Sequence, residues 1–300
     1  MGRSETAAGS ARRLIVRIGP YTVESIVDGT FGLDGGAMFG IVPRPLWQRT
    51  NPADERNRIA LAARCLLIRG NGLCVVVETG IGDKFDDKRA DIFDVRHPRG
   101  LLRAQLAERG VAAEDVTDVV LTHLHFDHCG GTTRRSGDRL ELSFPRATHH
   151  VQRRQWEWAL APSGKDAGSY RSDDFGILAD DDRLHLLDDD GELFDGISVH
   201  TAEGHTPGMQ LLRVRAAGAG LLFCADLVPT RTHLRWPYIM AYDNLPLVTL
   251  AEKRRWLPLS ADNGDVVVFG HDPVCDAAVL RRDQDNVVVE QEVDLGGART

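Results

Sequence analysis

The sequence predicts an α/β protein in which two β-sheets pack face to face with helices on the outside. Short apolar runs closed by glycine recur along the chain, and stretches with helical spacing return between strand groups. The two halves also share one rhythm, strand-rich first and helical after. Three hundred residues can bury a substantial core, and no long linker, low-complexity stretch or short repeat divides them.

Taken in order, residues 1–13 are small and polar and read as a disordered leader; residues 14–300 read as one domain. Leu14–Ile18 and Thr22–Val27 read as strands turned by Gly19-Pro20. Gly29–Gly40 is glycine-rich and reads as a loop pressed inward through Phe31, Met38 and Phe39. A strand at Cys65–Ile68 meets Leu73–Val77 through Asn71-Gly72, a strong hairpin dipeptide. Lys84–Pro98 reads as a charged loop, and Gly100–Arg109 as a helix stopped by Gly110. Val116–Leu121 is a buried strand that runs into a histidine cluster. Ala147–Val151 is another strand, followed by a helix through Trp156 and Trp158.

The polar, acidic stretch Ser163–Asp182 reads as a mobile insertion or solvated surface. Strands follow at Arg183–Leu187, Ile197–Thr201, Gln210–Val214, Gly220–Cys224, Asp265–Phe269 and Asn286–Val293. A helix at Leu247–Leu257 precedes the fifth of these.

Composition narrows the function. The formal net charge is −8, and no dense Lys/Arg block with interleaved aromatics is present, which argues against a nucleic-acid partner. No apolar run reaches membrane-spanning length. The five cysteines form no CxxC pair and are odd in number, which argues for a reducing cytoplasm over a disulfide framework.

The chemistry concentrates in Thr122-His123-Leu124-His125-Phe126-Asp127-His128. An H-x-H-x-D-H string arises by chance in roughly one such chain in a thousand. Neutral imidazole and carboxylate bind Zn²⁺ and similar cations tightly. Four such groups exceed what one tetrahedral ion uses well, so two adjacent cations are the natural reading. His205 in Gly204-His205-Thr206-Pro207-Gly208, Asp226 after Leu221–Cys224, and His271 after Val266–Phe269 stand after strands or turns and complete the set. The other histidines read as ordinary structural residues, with His233 the exception to watch.

In these residues the chain resembles the metallo-β-lactamase superfamily, in order and in rough spacing, from about Leu14 to the C-terminus. The resemblance implies a four-layer αβ/βα sandwich with metals at one edge between the sheets. It implies His123, His125 and His205 on one metal, and Asp127, His128 and His271 on the other, with Asp226 bridging. Asp34-Gly35-Gly36-Ala37-Met38-Phe39-Gly40, with Pro43 and Trp47, and Val151–Glu157 look like the branch of N-acyl-homoserine lactonases and methyl parathion hydrolase-like enzymes. Two departures stand out. The tyrosine that lactonases commonly carry three residues after the bridging Asp is here Pro229, so Tyr238, Tyr242 or His233 would have to reach the site instead. The Asp usually found before Thr79-Gly80 is Glu78, which keeps a carboxylate for a hydrogen bond to a ligand histidine.

The function expected is therefore hydrolysis of an ester or lactone in a small molecule by hydroxide shared between two Zn²⁺, with Fe, Mn or Co as other occupants. Asp127 or Asp226 would carry the proton to the leaving group. Phe39, Phe126, His233, Trp236 and Tyr238 are the expected substrate contacts, with Met38, Trp47 and Met240 beside them. Phosphotriester or phosphodiester hydrolysis would use the same metals, and iron-dependent redox chemistry is the rival of another class. Related enzymes often form homodimers, for which Gly29–Trp47 is the candidate contact.

Overall fold

The computed structural model describes residues 16–98 and 100–296; the expected leader at 1–13 lies outside the described residues. The first half runs β1 (Val16–Ile18), β2 (Tyr21–Asp34), α1 (Gly35–Phe39), α2 (Arg44–Trp47), β3 (Arg58–Gly70) and β4 (Leu73–Val77). It continues through α3 (Asp87–Ile92), α4 (Leu102–Ala107), β5 (Asp118–Val120), the one-turn α5 (Phe126–Cys129) and a hairpin of β6 (Thr133–Ser136) and β7 (Arg139–Leu142). Next come β8 (Thr148–Gln152), α6 (Arg153–Leu160), α7 (Ser172–Phe175) and β9 (Leu184–Leu187). The second half holds β10 (Gly191–Phe194), β11 (Ile197–Ala202), β12 (Met209–Ala216) and β13 (Ala219–Phe223). After α8 (Pro246–Asn263) it closes with β14 (Val266–Val268), β15 (Ala277–Asp283) and β16 (Asn286–Val293).

The strands form two seven-stranded sheets, ordered β1-β2-β3-β4-β5-β8-β9 and β10 through β16 in sequence. Strand alternation explains how they stack. Val75 and Val77 on β4 join the cluster between the sheets, while Val76 faces the opposite way into the helix-covered layer with Leu102, Leu106 and Trp156. Ile18, Val23, Leu66 and Val120 of one sheet meet Val199, Leu212, Leu221 and Phe223 of the other. This is the α/β sandwich that the patterning predicts.

Each half contains a parallel pair that matters for the site: β4 beside β5, and β13 beside β14. Parallel neighbours end side by side, so the loops leaving their C-terminal ends emerge together.

Several local expectations need correction. Gly29–Gly40 is not a loop: β2 continues to Asp34, and α1 follows, its N-terminus capped by Asp34 accepting from Ala37 N at 2.9 Å. The charged loop 84–98 contains α3, capped in the same way by Asp86. Ser163–Asp182 is built into the body rather than loose, because Phe175 and Leu178 are buried against the layer that holds Trp156. Its main tie is an ion pair at 3.2 Å between the fully buried Lys84 and Asp174 side chains. Lys84 also donates to the carbonyls of Gly130 and Thr133, next to α5.

Removing one partner of such a pair strands a charge in the interior. Asp174→Ala should lower the unfolding free energy by about 3–5 kcal/mol in urea denaturation, and the K84M/D174L double variant should lose less than that. A single variant as stable as the wild type would show that the pair is not what ties the segment down.

Candidate metal centre

β5 ends at Val120, so His123 and His125 stand beyond the strand rather than on its last pleat, and α5 turns Asp127 and His128 toward the same space. That turn packs tightly. A Cβ on Gly131 would come within 2.2 Å of Thr79 O, so only glycine lets the chain leaving β4 pass this close. Thr79 N then bonds His128 O at 2.8 Å and locks the turn to β4. Gly204 plays the same part for His205, since a Cβ there would meet Thr249 N of α8 at 2.4 Å. Asp226 follows β13 and His271 follows β14, the second parallel pair. Ala225, just before Asp226, takes a left-handed φ of 45°, as does Glu78 at 64°; non-glycine residues adopt this conformation only when packing enforces it.

These loops bring all seven predicted ligands together, every one of them buried. They fall into two groups, His123, His125, His205 and Asp226, and Asp127, His128 and His271, with the donor atoms of each group within 4.8 Å of one another. In the first group His125 Nδ1 lies 3.1 Å from His123 Nε2 and 3.2 Å from His205 Nε2. In the second, His271 Nε2 lies 3.0 Å from His128 Nε2 and 3.6 Å from Asp127 Oδ2. Asp226 stands between them. Its Oδ2 is 3.2 Å from His205 Nε2, and its Oδ1 is 2.9 Å from His271 Nε2.

The far sides of the rings explain this orientation. His205 Nδ1 meets Asp243 Oδ1 at 2.8 Å, and His271 Nδ1 donates to Ala62 O at 2.8 Å. Thr122 Oγ1 holds His123 Nδ1 at 3.0 Å. Glu78 Oε1 accepts from Thr122 N at 2.8 Å, and its Oε2 stands 3.3 Å from His128 Nδ1. With Nδ1 of His271 spent on a carbonyl, its Nε2 carries the lone pair that faces inward.

Facing imidazole lone pairs need a proton or a cation between them. Around tetrahedral Zn²⁺, with Zn–N of about 2.0–2.1 Å, ligand nitrogens stand roughly 3.3–3.4 Å apart, close to the spacing here. The buried Oδ1 of Asp226 and Nε2 of His125 have no hydrogen-bond partner. Burial, and then neighbouring imidazoles, hold His123 and His125 well below the usual histidine range, in the neutral form that ligates. For Asp226 burial alone would raise the pKa, yet His271, His128 and His205 hold it well below the carboxylate range. The donor set fits a pair of divalent cations.

A cavity of about 310 Å³ opens over these groups. Phe126, Met38 and Met240 are in its wall, together with Leu33, Phe93 and Tyr242. The other expected substrate contacts are not among the residues that line it. Phe39 is fully buried, stacked on Trp47 and on His233. His233 is held by Thr230 Oγ1 and Met38 O, both at 2.8 Å. Tyr238 packs edge-on against Phe39, and Trp236 donates to Asp285 O at 2.8 Å. Phe39, His233 and Tyr238 thus support the wall from behind, whereas Trp236 packs against the separate core of the two sheets.

Sequence reasoning missed Asp243, Tyr170 and Lys165. Tyr170 bonds Thr206 Oγ1 at 2.7 Å and places its ring 4.7 Å from that of His125. Lys165 lines the cavity from the segment read as an insertion. Their signals are long-range contacts, which no local motif carries.

Comparison with known proteins agrees with this geometry. The metallo-beta-lactamase superfamily profile matches residues 58–271. The N-acyl homoserine lactonase AttM of Azorhizobium caulinodans is 33% identical over 179 residues, 57% of this chain and 63% of the relative. A probable metallo-hydrolase of Mycobacterium tuberculosis is 31% identical over 207 residues, 61% of this chain and 63% of its own length. The match thus spans less than two thirds of either relative. Among solved structures, a probable metal-dependent hydrolase from Staphylococcus aureus superposes with a TM-score of 0.84 at 28% identity, covering 93% of this chain and all of that one (100%). AidC, a dizinc quorum-quenching lactonase solved with a product, has the same fold, with a TM-score of 0.78 at 19% identity over 94% of this chain and 97% of its own.

Two outcomes follow from the site. Asp243→Ala frees His205 to rotate and should weaken metal binding by about 10- to 100-fold in competition with a chelating indicator. His233 is held down to about 3, chiefly by burial. The folded state therefore binds fewer protons than the unfolded state between about pH 3 and the ordinary histidine value near 6.5, and stability falls as pH drops through that window. His233→Phe should remove a slope of up to about 1.4 kcal/mol per pH unit there, read by urea denaturation at stepped pH.

Proposed function

The chain belongs to the metallo-beta-lactamase superfamily, and from that premise we propose that it is a dinuclear zinc hydrolase cleaving an ester or lactone bond of a small molecule. The observation that carries this reading is Asp226, whose two carboxylate oxygens face two separate imidazole groups at the floor of an apolar cavity. The lactonase relatives favour a lactone among the esters. The core shared by the two sheets supports treating residues 14–300 as one domain.

A pair of divalent cations supplies an activated water and a Lewis acid for the carbonyl oxygen at neutral pH. The chain's own residues do the remainder. His123, His125 and His205 would hold one cation, and Asp127, His128 and His271 the other, with Asp226 common to both. Asp243, Ala62 O and Glu78 fix the rings, so the donors need little reorganisation. Asp127 lines the cavity, where its carboxylate can take the proton released by the attacking water and pass it to the leaving oxygen. Leu33, Phe93 and Phe126 give an apolar wall for the acyl part and thin out competing water.

Of the three side chains considered as substitutes for the tyrosine that Pro229 replaces, Tyr242 is the one in the cavity wall. Burial, with Asp34 and Asp127 adding, pushes its phenol up to about 12, so it stays a hydrogen-bond donor at neutral pH. This favours Tyr242 as the group that steadies the substrate carbonyl.

All five cysteines are free, which supports a cytoplasmic setting, and no described helix is long and apolar enough to cross a membrane. Ile41 and Leu46 expose apolar side chains within Gly29–Trp47, the stretch proposed for contact between two copies.

His205→Ala or Asp127→Ala should abolish metal loading and turnover together, checked by metal analysis beside a panel of a γ-lactone, an aryl ester and a phosphotriester. Highest kcat/KM on the phosphotriester would overturn the carbonyl reading, and full activity in either variant would overturn the ligand set.

A further inference from the structure

The two groups of donors are assembled differently. Asp127 and His128 of the second group both come from α5, so His271 is the member that must be delivered from elsewhere in the chain. It arrives on the short segment 269–272 that follows β14, and β3 holds that segment. β4 pairs with β3 from Leu66 to Gly70, and the edge of β3 before Leu66 takes the 270–271 backbone instead. Ala62 N donates to His271 O and Arg64 N to Gly270 O, both at 3.0 Å. Ala62 O accepts from the His271 ring at 2.8 Å.

The Arg64 side chain adds a second hold. It is buried, and its guanidinium spreads across both ends of the segment. Nε donates to Phe269 O at 2.9 Å, and Nη2 donates to Asp272 O at 2.6 Å. Nη1 donates to Ser25 Oγ and pairs with Asp276 Oδ1, each at 2.8 Å. Asp276 is itself anchored, its Oδ2 accepting from Leu295 N at 3.2 Å. A carboxylate outside the segment thus neutralises Arg64, while the planar fork spans the two carbonyls that flank Gly270 and His271. A lysine ammonium is a point donor on a flexible stem and cannot reproduce that fork.

We propose that Arg64 is a positioning residue for the second cation: it fixes the backbone on either side of His271, and so sets how tightly that site, and not the first, holds its metal. This rests on the dinuclear reading above and deepens it. The first group does not include His271, and its own distant histidine, His205, is steadied by Asp243 instead.

The test titrates Co²⁺ into the full-length protein against a chelating indicator. Wild type should take up two equivalents, one for each donor group. In Arg64→Lys one equivalent should weaken on the order of tenfold while the other stays within about threefold. The double variant Arg64→Met with Asp276→Asn removes both charges and leaves an oxygen for Leu295 N. It should show the same one-sided loss, and it serves where Arg64→Lys does not fold. Arg213→Met breaks the Arg213–Asp265 pair at the opposite end of β14, controls for lost stability, and should leave both equivalents unchanged. Equal weakening of both equivalents in the Arg64 variants, or weakening of neither, overturns the proposal.

A second arm does not depend on metal uptake. In Arg64→Lys the amides of Ala62 and His271, which bond His271 O and Pro229 O, should exchange hydrogen on the order of tenfold faster, with β11 and β12 unchanged. Faster exchange with both affinities intact overturns the proposal, because the segment would then move without consequence for the metal. If wild type takes up fewer than two equivalents, the dinuclear reading falls and exchange alone decides the role of Arg64. Quickening confined to this segment then keeps Arg64 as the residue that positions His271, and unchanged exchange overturns both.

Discussion

The structure depends on a concentration of buried donors that must be neutralised. Seven side chains, five of them histidines whose ring nitrogens meet in three contacts of 3.0–3.2 Å, sit with little or no access to water. Burying such groups without partners costs several kcal/mol each. Asp226 limits that cost within the chain, because one carboxylate lies against imidazoles from both groups. The topology then follows from the need to bring residues more than a hundred positions apart to one carboxylate. Parallel neighbours solve this, since β4 beside β5 and β13 beside β14 deliver Glu78, the His123–His128 turn, Asp226 and His271 to one edge of the sandwich.

A second constraint is rotational. An imidazole can present either nitrogen, and the wrong one points away from its partner. Here a carbonyl, a carboxylate or a hydroxyl holds the outer nitrogen of His271, His205 and His123. His125 is turned the other way, with Nδ1 inward, and Tyr170 packs against its ring. The left-handed backbone at Glu78 and Ala225 belongs to the same design, because strain at these two positions aims two carboxylates that an ordinary turn would not place.

The seven candidate ligands that the fold brings together were legible in the sequence because their chemistry is local: an H-x-H-x-D-H string keeps its meaning whatever surrounds it. The buried strands were legible through their apolar runs, so Asn286–Val293 was located to the residue. Ala277–Asp283 escaped because half of it is charged and exposed, and Gly35–Phe39 because glycine pairs argue for a loop. The substrate wall was read poorly for a different reason. Phe39, Trp236 and Tyr238 are aromatic and lie between strands, which fits a cavity wall and a core equally well, and only tertiary packing separates the two. Asp243 and Lys165 have no motif at all. Their roles exist only because Asp243 reaches back to His205 and Lys165 crosses to the 242–243 backbone.

That crossing ties the cavity to the metal centre. Residues 240–242 form part of the cavity wall, Asp243 orients His205, and Asn244 bonds Asp166 on the facing segment at 2.7 Å. Lys165, next to Asp166 on that segment, bonds the carbonyls of Tyr242 and Asp243 in the same stretch. Five consecutive residues thus set both the shape offered to a substrate and the angle of a metal-facing ring. A change that reshapes the wall at Met240 or Tyr242 is transmitted to His205 through at most three backbone units. In the proposed hydrolase, selectivity and metal geometry are therefore coupled, and the 163–170 segment, whose polar composition suggests idle surface, is the clamp that couples them.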